Sequence, residues 1–211
     1  THADLDEKSA RKQAIDWLAE VGIPSPDVRI DQYPHQFSGG MRQRVVIALA
    51  LCANPKLIIA DEPTTALDVS IQAQIISLLK RLCSEHGTAV MLITHDMGVI
   101  AETADRVAVM YAGRLVEIGE ARKVIQNAKH PYTLGLMGSI PTIGDTEEDL
   151  RQIQGSMPRL AEIPQGCAFN PRCPNVRDCC RKNRPELQSV DESSIACWLF
   201  EDSAVPLELQ Q

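Results

Sequence analysis

The sequence predicts an α/β fold with a parallel sheet, followed by a loop-rich extension that contains cysteines. Two short apolar segments, 57–60 and Ala89–Ile93, are typical of buried strands, and a stretch with helical periodicity separates them. The order strand, helix, strand indicates parallel pairing, because the helix returns the chain to the starting end of the sheet. The periodicity fades from Pro141 onward, and seven of the 13 prolines lie there. This second part is therefore expected to be rich in loops.

Composition excludes several classes of protein. The chain has 211 residues, and its 44% hydrophobic content suffices for a buried core. Its longest apolar run, 45–53, is well short of the roughly 20 residues of a membrane-spanning helix. We see no secretory signal pattern. The formal net charge of −7 argues against nucleic acid as a partner, because affinity for phosphate backbones depends on clustered positive charge.

Helices and an irregular connection are predicted before the first strand. Apolar residues recur at helical spacing from position 5 to position 21, and Gly22 follows this first helix. Prolines at positions 24, 26 and 34 indicate an irregular connection. Ser38 is a typical N-cap, so a second helix is expected to run from there to about Cys52.

The helix that joins the two strands is expected to begin at Ser70, a second N-cap candidate, and to end before Gly87. Later elements are predicted by the same signals. They are a short helix near 97–104, an antiparallel hairpin at the edge of the parallel sheet formed by 106–111 and 114–118 around Ala112 and Gly113, and helices over 120–128 and 131–140.

Two adjacent carboxylates, Asp61 and Glu62, follow the first predicted strand. Ligands of parallel α/β sheets bind at the carboxyl ends of the strands. One carboxylate at this position can hold Mg²⁺, and its neighbour can orient or deprotonate a water molecule. Taken alone, the pair fits equally well with a strand that simply ends in polar residues.

Three further segments accompany the acid pair. The segment 38–41 opens a helix, whose first N–H groups and dipole suit a phosphate, although in isolation ordinary N-capping with flexible glycines is the better explanation. The segment 66–68 ends in an acid before the next helix. His95 follows the second strand and can sense a developing charge, whereas a lone histidine is more often structural.

In this order and spacing, the four segments resemble the ATP-binding-cassette (ABC) ATPases over about residues 5–118. The resemblance implies a P-loop NTPase-like core with a helical subdomain, of which this chain holds an incomplete part. It assigns the signature motif to Ser38, Gly39, Gly40 and Met41, Walker B to 57–62 with Asp61 as the Mg²⁺-associated acid and Glu62 as the catalytic base, the D-loop to Ala66, Leu67 and Asp68, and the switch histidine to His95.

The resemblance also implies a mechanism. Two such domains enclose two ATP molecules, and the signature of one subunit contacts the γ-phosphate held by the Walker A loop of the other. Glu62 would polarise the attacking water, and His95 would contact the γ-phosphate. ATP and Mg²⁺ are the implied cofactors, and catalysis would rest on positioning and charge stabilisation.

The sequence departs from the family pattern in two ways. Met41 stands where the signature usually has glutamine, a variant familiar in the peptide-importer branch. The chain has no GxxxxGK[ST] loop, since none of its seven lysines follows a glycine. The glutamine loop and the adenine-stacking aromatic are absent too. We therefore expect a fragment of a longer ATPase that is inactive alone.

The segment 129–133, Lys-His-Pro-Tyr-Thr, is similar to the C-terminal extension of the oligopeptide, dipeptide and nickel importer branch. It also predicts a helix that begins at Pro131 and packs its leucines on the core. The resemblance implies two domains. The first, 1–128, is the C-terminal part of the ATPase domain, and the second, 129–211, is the extension.

The cysteines of the extension resemble a motif that ligates a 4Fe–4S cluster in some members of this branch. Four thiolates can also hold Zn²⁺, which we consider less well matched because CxxC pairs are lacking, and a disulfide is a third option. Cys179 is a spare thiol beside the motif. The implied ligands are Cys167, Cys173, Cys180 and Cys197, whereas Cys52 and Cys83 are expected to be inert core residues.

The function that the resemblance implies is the ATPase subunit of an importer for peptides or related solutes such as nickel. Its partners would be a second ATPase subunit, membrane permease subunits and, indirectly, a solute-binding protein, and it would act at the cytoplasmic face of the membrane. A soluble ABC ATPase of DNA repair or chromosome maintenance is one alternative, which the acidic charge opposes. A redox or iron–sulfur regulatory module is another.

Overall fold

A computed structural model of the chain describes residues 5–65, 67–140 and 152–203. It contains two compact units, Thr1–Val99 and Ile100–Gln211. Ala66 of the predicted D-loop lies outside the described residues. In the part that is described, no helix has both the length and the apolar character needed to cross a membrane. The division predicted from the sequence, 1–128 and 129–211, stays a prediction about the family domains.

The first unit alternates helices with two strands, as predicted. Its helices and strands are α1 (Glu7–Glu20), α2 (Pro26–Arg29), α3 (Gly39–Leu51), β1 (Leu57–Asp61), α4 (Val69–Glu85) and β2 (Ala89–Ile93), and α5 (Met97–Thr103) includes the boundary between the units.

The strands β1 and β2 pair in parallel, with Leu57 opposite Ala89 and Asp61 opposite Ile93. The predicted α/β class and parallel pairing are therefore confirmed. Ile58 and Ala60 of β1 are buried in a core that also contains the apolar face of α4, while Leu57 is exposed. Burial on one face of β1 fixes the register, because a shift by one residue would turn the core side chains outward.

The N-cap of α4 lies two residues earlier than the sequence suggested. Its N-cap is Asp68, whose Oδ1 accepts the backbone N–H of Ile71 at 3.0 Å. The prediction that Ser70 caps this helix is wrong, because the Ser70 hydroxyl donates to the same Oδ1 at 2.8 Å. A carboxylate is a stronger acceptor for helix N–H groups than a hydroxyl, and Asp68 occupies the position that the helix start requires.

The second unit contains a four-stranded antiparallel sheet in the order β3-β4-β6-β5. The sequence predicted a hairpin at the edge of the parallel sheet. Instead, β4 pairs with β3 on one side and with β6, a strand of the extension, on the other. The elements are β3 (Arg106–Tyr111), β4 (Arg114–Glu120), α6 (Ala121–Gln126), α7 (Pro131–Met137), α8 (Asp178–Lys182), β5 (Gln188–Val190) and β6 (Ser193–Ile195). Both α6 and α7 are shorter than the predicted helices.

The turn between β3 and β4 has the conformation that the Ala-Gly pair predicts. Ala112 has φ +47° and Gly113 has φ +74°, so both central residues lie in the left-handed region. Two consecutive residues of this kind match the right-handed twist of antiparallel strands and close a tight hairpin. The alanine accepts strain here that the glycine avoids.

Aromatic rings form the centre of the second unit. Tyr111 of β3 meets Tyr132 of α7 and Phe169 edge-on, with ring centroids 4.7 Å and 5.2 Å away. Tyr111 and Phe169 are fully buried. This cluster packs the tyrosine of the Lys-His-Pro-Tyr-Thr segment against the segment that carries the cysteines.

A buried acid also supports this region. Glu117 of β4 is inaccessible to solvent, and its two carboxyl oxygens accept the backbone N–H groups of Lys129 and His130, each at 3.0 Å. The His130 ring is buried as well, and its Nδ1 accepts the N–H of Tyr132 at 3.1 Å as the N-cap of α7. The segment before α7 is thus fixed by side-chain acceptors.

Arg172 fixes a third segment of this unit. Its guanidinium donates to the backbone oxygens of Ile153 and Gln154 at 3.0 Å and 2.9 Å, and to the Tyr111 hydroxyl at 3.4 Å. The segment 153–154 is thereby held beside the aromatic cluster.

Candidate functional site

The candidate site lies at the carboxyl ends of β1 and β2. Asp61 is the last residue of β1 and is exposed. Glu62 follows with φ +47°, and its backbone N–H donates to the Ile93 oxygen at 2.9 Å. A left-handed conformation is uncommon for glutamate and is maintained by its surroundings. The backbone of Glu62 is therefore tied to the end of the strand that precedes His95.

The structure brings Glu62 and His95 together, although 33 positions separate them in the sequence. Glu62 Oε1 lies 2.7 Å from His95 Nδ1. Glu62 Oε2 accepts a hydrogen bond from the Thr65 hydroxyl at 2.9 Å. The His95 side chain is 87% exposed and that of Glu62 is 38% exposed, so both groups are open to an incoming ligand.

These contacts shift both pKa values toward the charged forms. The hydrogen bond with His95, followed by the one from Thr65, lowers the pKa of Glu62. The hydrogen bond to Glu62 and the negative charge of Glu62 raise the pKa of His95. Each partner favours the ionised state of the other, as expected of an acid and a base within hydrogen-bond distance.

Asp96 anchors the segment that carries His95. Its Oδ1 accepts the N–H groups of Gly98 at 2.9 Å and Val99 at 3.2 Å, and so supports the start of α5. Its Oδ2 accepts a hydrogen bond from Gln72 Nε2 of α4 at 2.8 Å. The His95 segment is thus linked to the helix that begins at Asp68.

Sequence reasoning missed three of these polar residues, namely Thr65, Gln72 and Asp96. The direct succession of His95 and Asp96 is a usable signal, because an aspartate before a helix is a common cap. Thr65 and Gln72 carry no such signal, since their roles depend on which carboxylates the fold places beside them.

The segment 38–41 forms the start of α3, as predicted. Ser38 Oγ accepts the N–H of Met41 at 3.3 Å. A Cβ on Gly40 would lie 2.8 Å from Ile71 Cγ2, and one on Gly39 would lie 3.4 Å from a Leu67 methyl group. The two glycines therefore let the start of α3 approach the start of α4 closely.

Asp68 is the remaining predicted nucleotide-binding residue, and one of its carboxyl oxygens already accepts hydrogen bonds within the chain. Its Oδ1 accepts from the Ile71 N–H and the Ser70 hydroxyl. These two hydrogen bonds, in that order, lower the pKa of Asp68. No hydrogen bond within the described residues joins segment 38–41 to Glu62 or His95.

The predicted cysteine ligands lie in one region of the second unit. The backbone N–H of Cys167 donates to the Cys180 oxygen at 2.8 Å, and a Cβ on Gly166 would lie 2.1 Å from that oxygen. Burial is the main cause that raises the pKa of Cys167, of Cys173 and, to about 11, of Cys197. The neighbouring thiols raise these pKa values further.

The structure does not support a metal cluster at these cysteines. No group of three or more His, Cys, Asp or Glu residues in 5–65, 67–140 and 152–203 is placed to hold a metal ion, and the four cysteines are among those residues. The structure therefore gives no support to the 4Fe–4S cluster implied by the resemblance or to the zinc alternative.

The other cysteines are free thiols with different surroundings. Cys83 is buried in α4, and burial raises its pKa, as expected of a core residue. The expectation that Cys52 is also a core residue is wrong. Cys52 is exposed at the C-cap of α3, and its thiol donates to the Leu49 oxygen at 3.2 Å. The apolar run 45–53 extends beyond Leu51, the last buried residue of α3, so it includes residues that do not face the core.

The sequence matches two known protein families. Residues 1–65 match the ABC transporter family, and residues 116–180 match the family described as the oligopeptide/dipeptide transporter, C-terminal region. The first match includes the segment 38–41, Asp61 and Glu62. The second includes Glu117, the segment before α7 and three of the four predicted ligand cysteines.

Relatives resemble the chain over nearly its whole length. It is 49% identical over 204 residues to the dipeptide transport ATP-binding protein DppD of Bacillus subtilis, covering 96% of this chain and 61% of that protein. It is 48% identical over 209 residues to the oligopeptide transport ATP-binding protein OppD of the same organism, covering 98% and 58%. It is 44% identical over 211 residues to DppD of Haemophilus influenzae, covering 100% and 64%. The chain thus spans about 60% of the length of these relatives.

A solved structure is similar as well. The post-hydrolysis dimer of the ATP-binding cassette MJ0796, bound to ADP and Pi, is 34% identical with a TM-score of 0.50, and the match covers 58% of this chain and 51% of that one. This likeness agrees with the α/β class predicted from the sequence.

Proposed function

Because the chain belongs to the ABC transporter ATP-binding proteins, in the branch with the oligopeptide/dipeptide-type C-terminal region, we propose that its parent protein is the ATPase subunit of a peptide importer. The reaction is hydrolysis of ATP, and the transported solutes are dipeptides, oligopeptides or related small solutes such as nickel. The observation that carries this proposal is the hydrogen-bonded pair of Glu62 and His95 at the carboxyl edge of the parallel sheet.

Glu62 is the proposed base. Its lowered pKa keeps the carboxylate ionised at neutral pH, and each oxygen retains a lone pair beside the hydrogen bond that it already accepts. An attacking water that donates to Glu62 becomes more nucleophilic and is oriented toward the γ-phosphorus. The exposure of this carboxylate allows water and phosphate to approach.

His95 is proposed to contact the γ-phosphate. Donation from Nδ1 to Glu62 leaves Nε2 free to face the substrate, and the raised pKa favours the protonated ring, in which Nε2–H is also a donor. A cationic donor stabilises the negative charge that develops on the phosphate oxygens in the transition state.

Asp61 is the proposed Mg²⁺-associated acid. Its exposed carboxylate is a hard oxygen ligand, and Mg²⁺ in phosphoryl-transfer sites commonly has only one or two protein carboxylates beside waters and phosphate oxygens. The residue therefore fits this ion. When bound, Mg²⁺ would neutralise charge on the phosphates.

Segment 38–41 and Asp68 are proposed to act at the nucleotide held by a second ATPase subunit. The start of α3 presents backbone N–H groups and the positive end of a helix dipole, which suit a γ-phosphate. The proposal includes permease subunits at the membrane, a solute-binding protein acting through them, and a peripheral position on the cytoplasmic face. The names of the relatives, which are transport ATP-binding proteins, support this assignment.

The test uses the full-length protein assembled with its permease subunits. Glu62→Gln should lower ATP hydrolysis by about 100-fold or more, because it removes the base, while ATP binding is preserved. The matched control is Glu85→Gln, which changes an exposed glutamate that is paired with Arg81. Peptide uptake into vesicles should fall in parallel with hydrolysis. Near-normal hydrolysis in the Glu62 variant would reject Glu62 as the base.

The 211-residue chain by itself is proposed to be inactive, since its sequence contains no GxxxxGK[ST] loop. Measurable ATP turnover by the purified chain would refute this.

An iron–sulfur cluster is the finer proposal that the family resemblance alone supports. Iron analysis and visible absorbance of the anaerobically purified chain test it, and a colourless, iron-free protein would reject it together with the iron–sulfur module alternative. The comparisons favour neither that alternative nor a DNA-repair ATPase.

A further inference from the structure

The carboxyl group of Glu62 is held from two sides. His95 Nδ1 lies 2.7 Å from Oε1, and the Thr65 hydroxyl donates to Oε2 at 2.9 Å. Neither the motif resemblance nor the comparisons assign a role to Thr65. Its contact is with the group proposed to act on water, so the inference below rests on the proposed function.

Thr65 is brought to this position by a turn. The backbone N–H of Thr65 donates to the Glu62 oxygen at 3.2 Å, which closes the segment 62–65. Glu62 itself has φ +47°. The turn returns the chain so that the Thr65 hydroxyl faces the side chain three residues earlier. The main chain and the side chain of Thr65 therefore both contact Glu62.

Two anchors restrict the carboxylate more than one. A single hydrogen bond from His95, whose side chain is 87% exposed, leaves Oε2 free to rotate about the Cγ–Cδ bond of Glu62. A second donor on Oε2 fixes the plane of the carboxylate, because a carboxylate accepts in directions set by its lone pairs. Hydrogen bonds to a charged acceptor are also stronger than those to a neutral one.

We propose that Thr65 is a positioning residue that orients the Glu62 carboxylate toward the attacking water. The hydroxyl contributes orientation and takes no proton from the substrate. Such orientation matters because small displacements of a catalytic group reduce rates strongly.

The decisive test compares two substitutions at one position. Thr65→Val keeps the shape of the side chain and removes the hydroxyl, whereas Thr65→Ser keeps the hydroxyl. In the full-length protein assembled with its permease subunits, we expect Thr65→Val to lower kcat about tenfold, with KM for ATP changed less than about twofold. Thr65→Ser should retain most of the wild-type kcat.

Three outcomes would overturn the inference. One is a wild-type kcat in Thr65→Val, which would show that the hydroxyl is dispensable. Another is an equal loss in both variants, which would indicate a packing role for the threonine methyl group. A raised KM for ATP with an unchanged kcat would also reject positioning and would indicate a role in nucleotide binding.

A measurement on the 211-residue chain separates this inference from the proposed function. The ¹³C chemical shift of the Glu62 carboxyl carbon, and its change on transfer from H₂O to D₂O at fixed pH, report the hydrogen bond without any ATP. Both values should change in Thr65→Val and remain in Thr65→Ser; unchanged values in Thr65→Val would reject the contact. If Glu62→Gln leaves hydrolysis intact, the proposed function fails. If Glu62→Gln is inactive and Thr65→Val is normal, only the positioning role fails.

Discussion

Each unit of the molecule contains a glutamate and a histidine that are linked by hydrogen bonds, and the two arrangements are opposite in exposure. Glu62 and His95 contact each other through their side chains at an open sheet edge. Glu117 and His130 are almost wholly inaccessible, and the Glu117 carboxyl group accepts the backbone N–H of His130 instead.

The pKa values of the two histidines move in opposite directions. The hydrogen bond to Glu62 raises the pKa of His95, whereas burial lowers the pKa of His130 to about 4. An exposed pair retains charge and remains available for chemistry. In the buried pair the histidine is neutral, and both side chains accept hydrogen bonds from backbone N–H groups. The same residue types thus form an exposed, charged pair in one unit and a buried structural contact in the other.

The largest expected effect on folding stability comes from substitution of Glu117. Glu117→Ala leaves the buried N–H of His130 and the partly buried N–H of Lys129 without an acceptor and opens a cavity. We therefore expect a loss of about 4 kcal/mol in the unfolding free energy of the second unit. Urea denaturation followed by Trp198 fluorescence in a Trp17→Phe background measures it, since the chain has two tryptophans, one in each unit. Glu120→Ala, an exposed change on the same strand, is the control and should alter the midpoint little. Equal effects would contradict the contrast.

The second prediction concerns pH. The pKa of His130 is about 4 in the folded state against 6.5 for the free side chain, so the unfolded state binds more protons between these values. Stability is therefore complete above pH 6.5 and falls as the pH decreases, by about 3 kcal/mol near pH 4. His130→Asn keeps a capping oxygen for the Tyr132 N–H but cannot titrate. Denaturation at pH 7 and pH 5 should show a smaller pH effect in this variant, and an identical effect would disprove the assignment.

The third prediction tests an orphaned polar atom. The Thr133 hydroxyl is buried and has no hydrogen-bond partner among the residues that the structure describes. Thr133→Val removes the unsatisfied group at nearly constant volume and should stabilise the second unit by about 1 kcal/mol. Thr133→Ser keeps the hydroxyl and loses a methyl group, so it should destabilise. The midpoint of urea denaturation distinguishes these outcomes, and destabilisation by valine would imply an unseen partner.

The smallest effects on folding should come from the exposed pair. Glu62→Gln and His95→Ala should leave the denaturation midpoint of the first unit within experimental error, because solvent replaces their hydrogen bond. Trp17 fluorescence in a Trp198→Phe background reports this unit. A clear loss of stability in either variant would mean that the pair is structural and would weaken the contrast with Glu117.

Local patterns predicted the elements that are continuous in sequence. Both strands of the parallel sheet and the N-cap at Ser38 follow from apolar runs and capping chemistry. The short strands β5 and β6 were not predicted, because each has three residues and depends on pairing with β4. Cys52 was misplaced because an apolar run does not show where the buried face of a helix ends.

The site was predicted in part. Motif order identified Glu62 and His95, but it contained no information on their 2.7 Å contact. The roles of Thr65 and Gln72 became visible only in three dimensions, because each depends on the carboxylate that the fold places beside the side chain. The cysteine spacing suggested a cluster, yet spacing does not determine whether thiols become ligands.

The hydrogen bonds of Arg172 have a consequence for proteolysis. Trypsin must draw an arginine side chain into its specificity pocket, and the guanidinium of Arg172 is occupied by two backbone oxygens and the Tyr111 hydroxyl. Cleavage after Arg172 therefore requires local opening of the aromatic cluster. The bond between Arg172 and Cys173 should survive limited digestion under native conditions, so an intact bond would serve as a simple assay for a correctly folded extension.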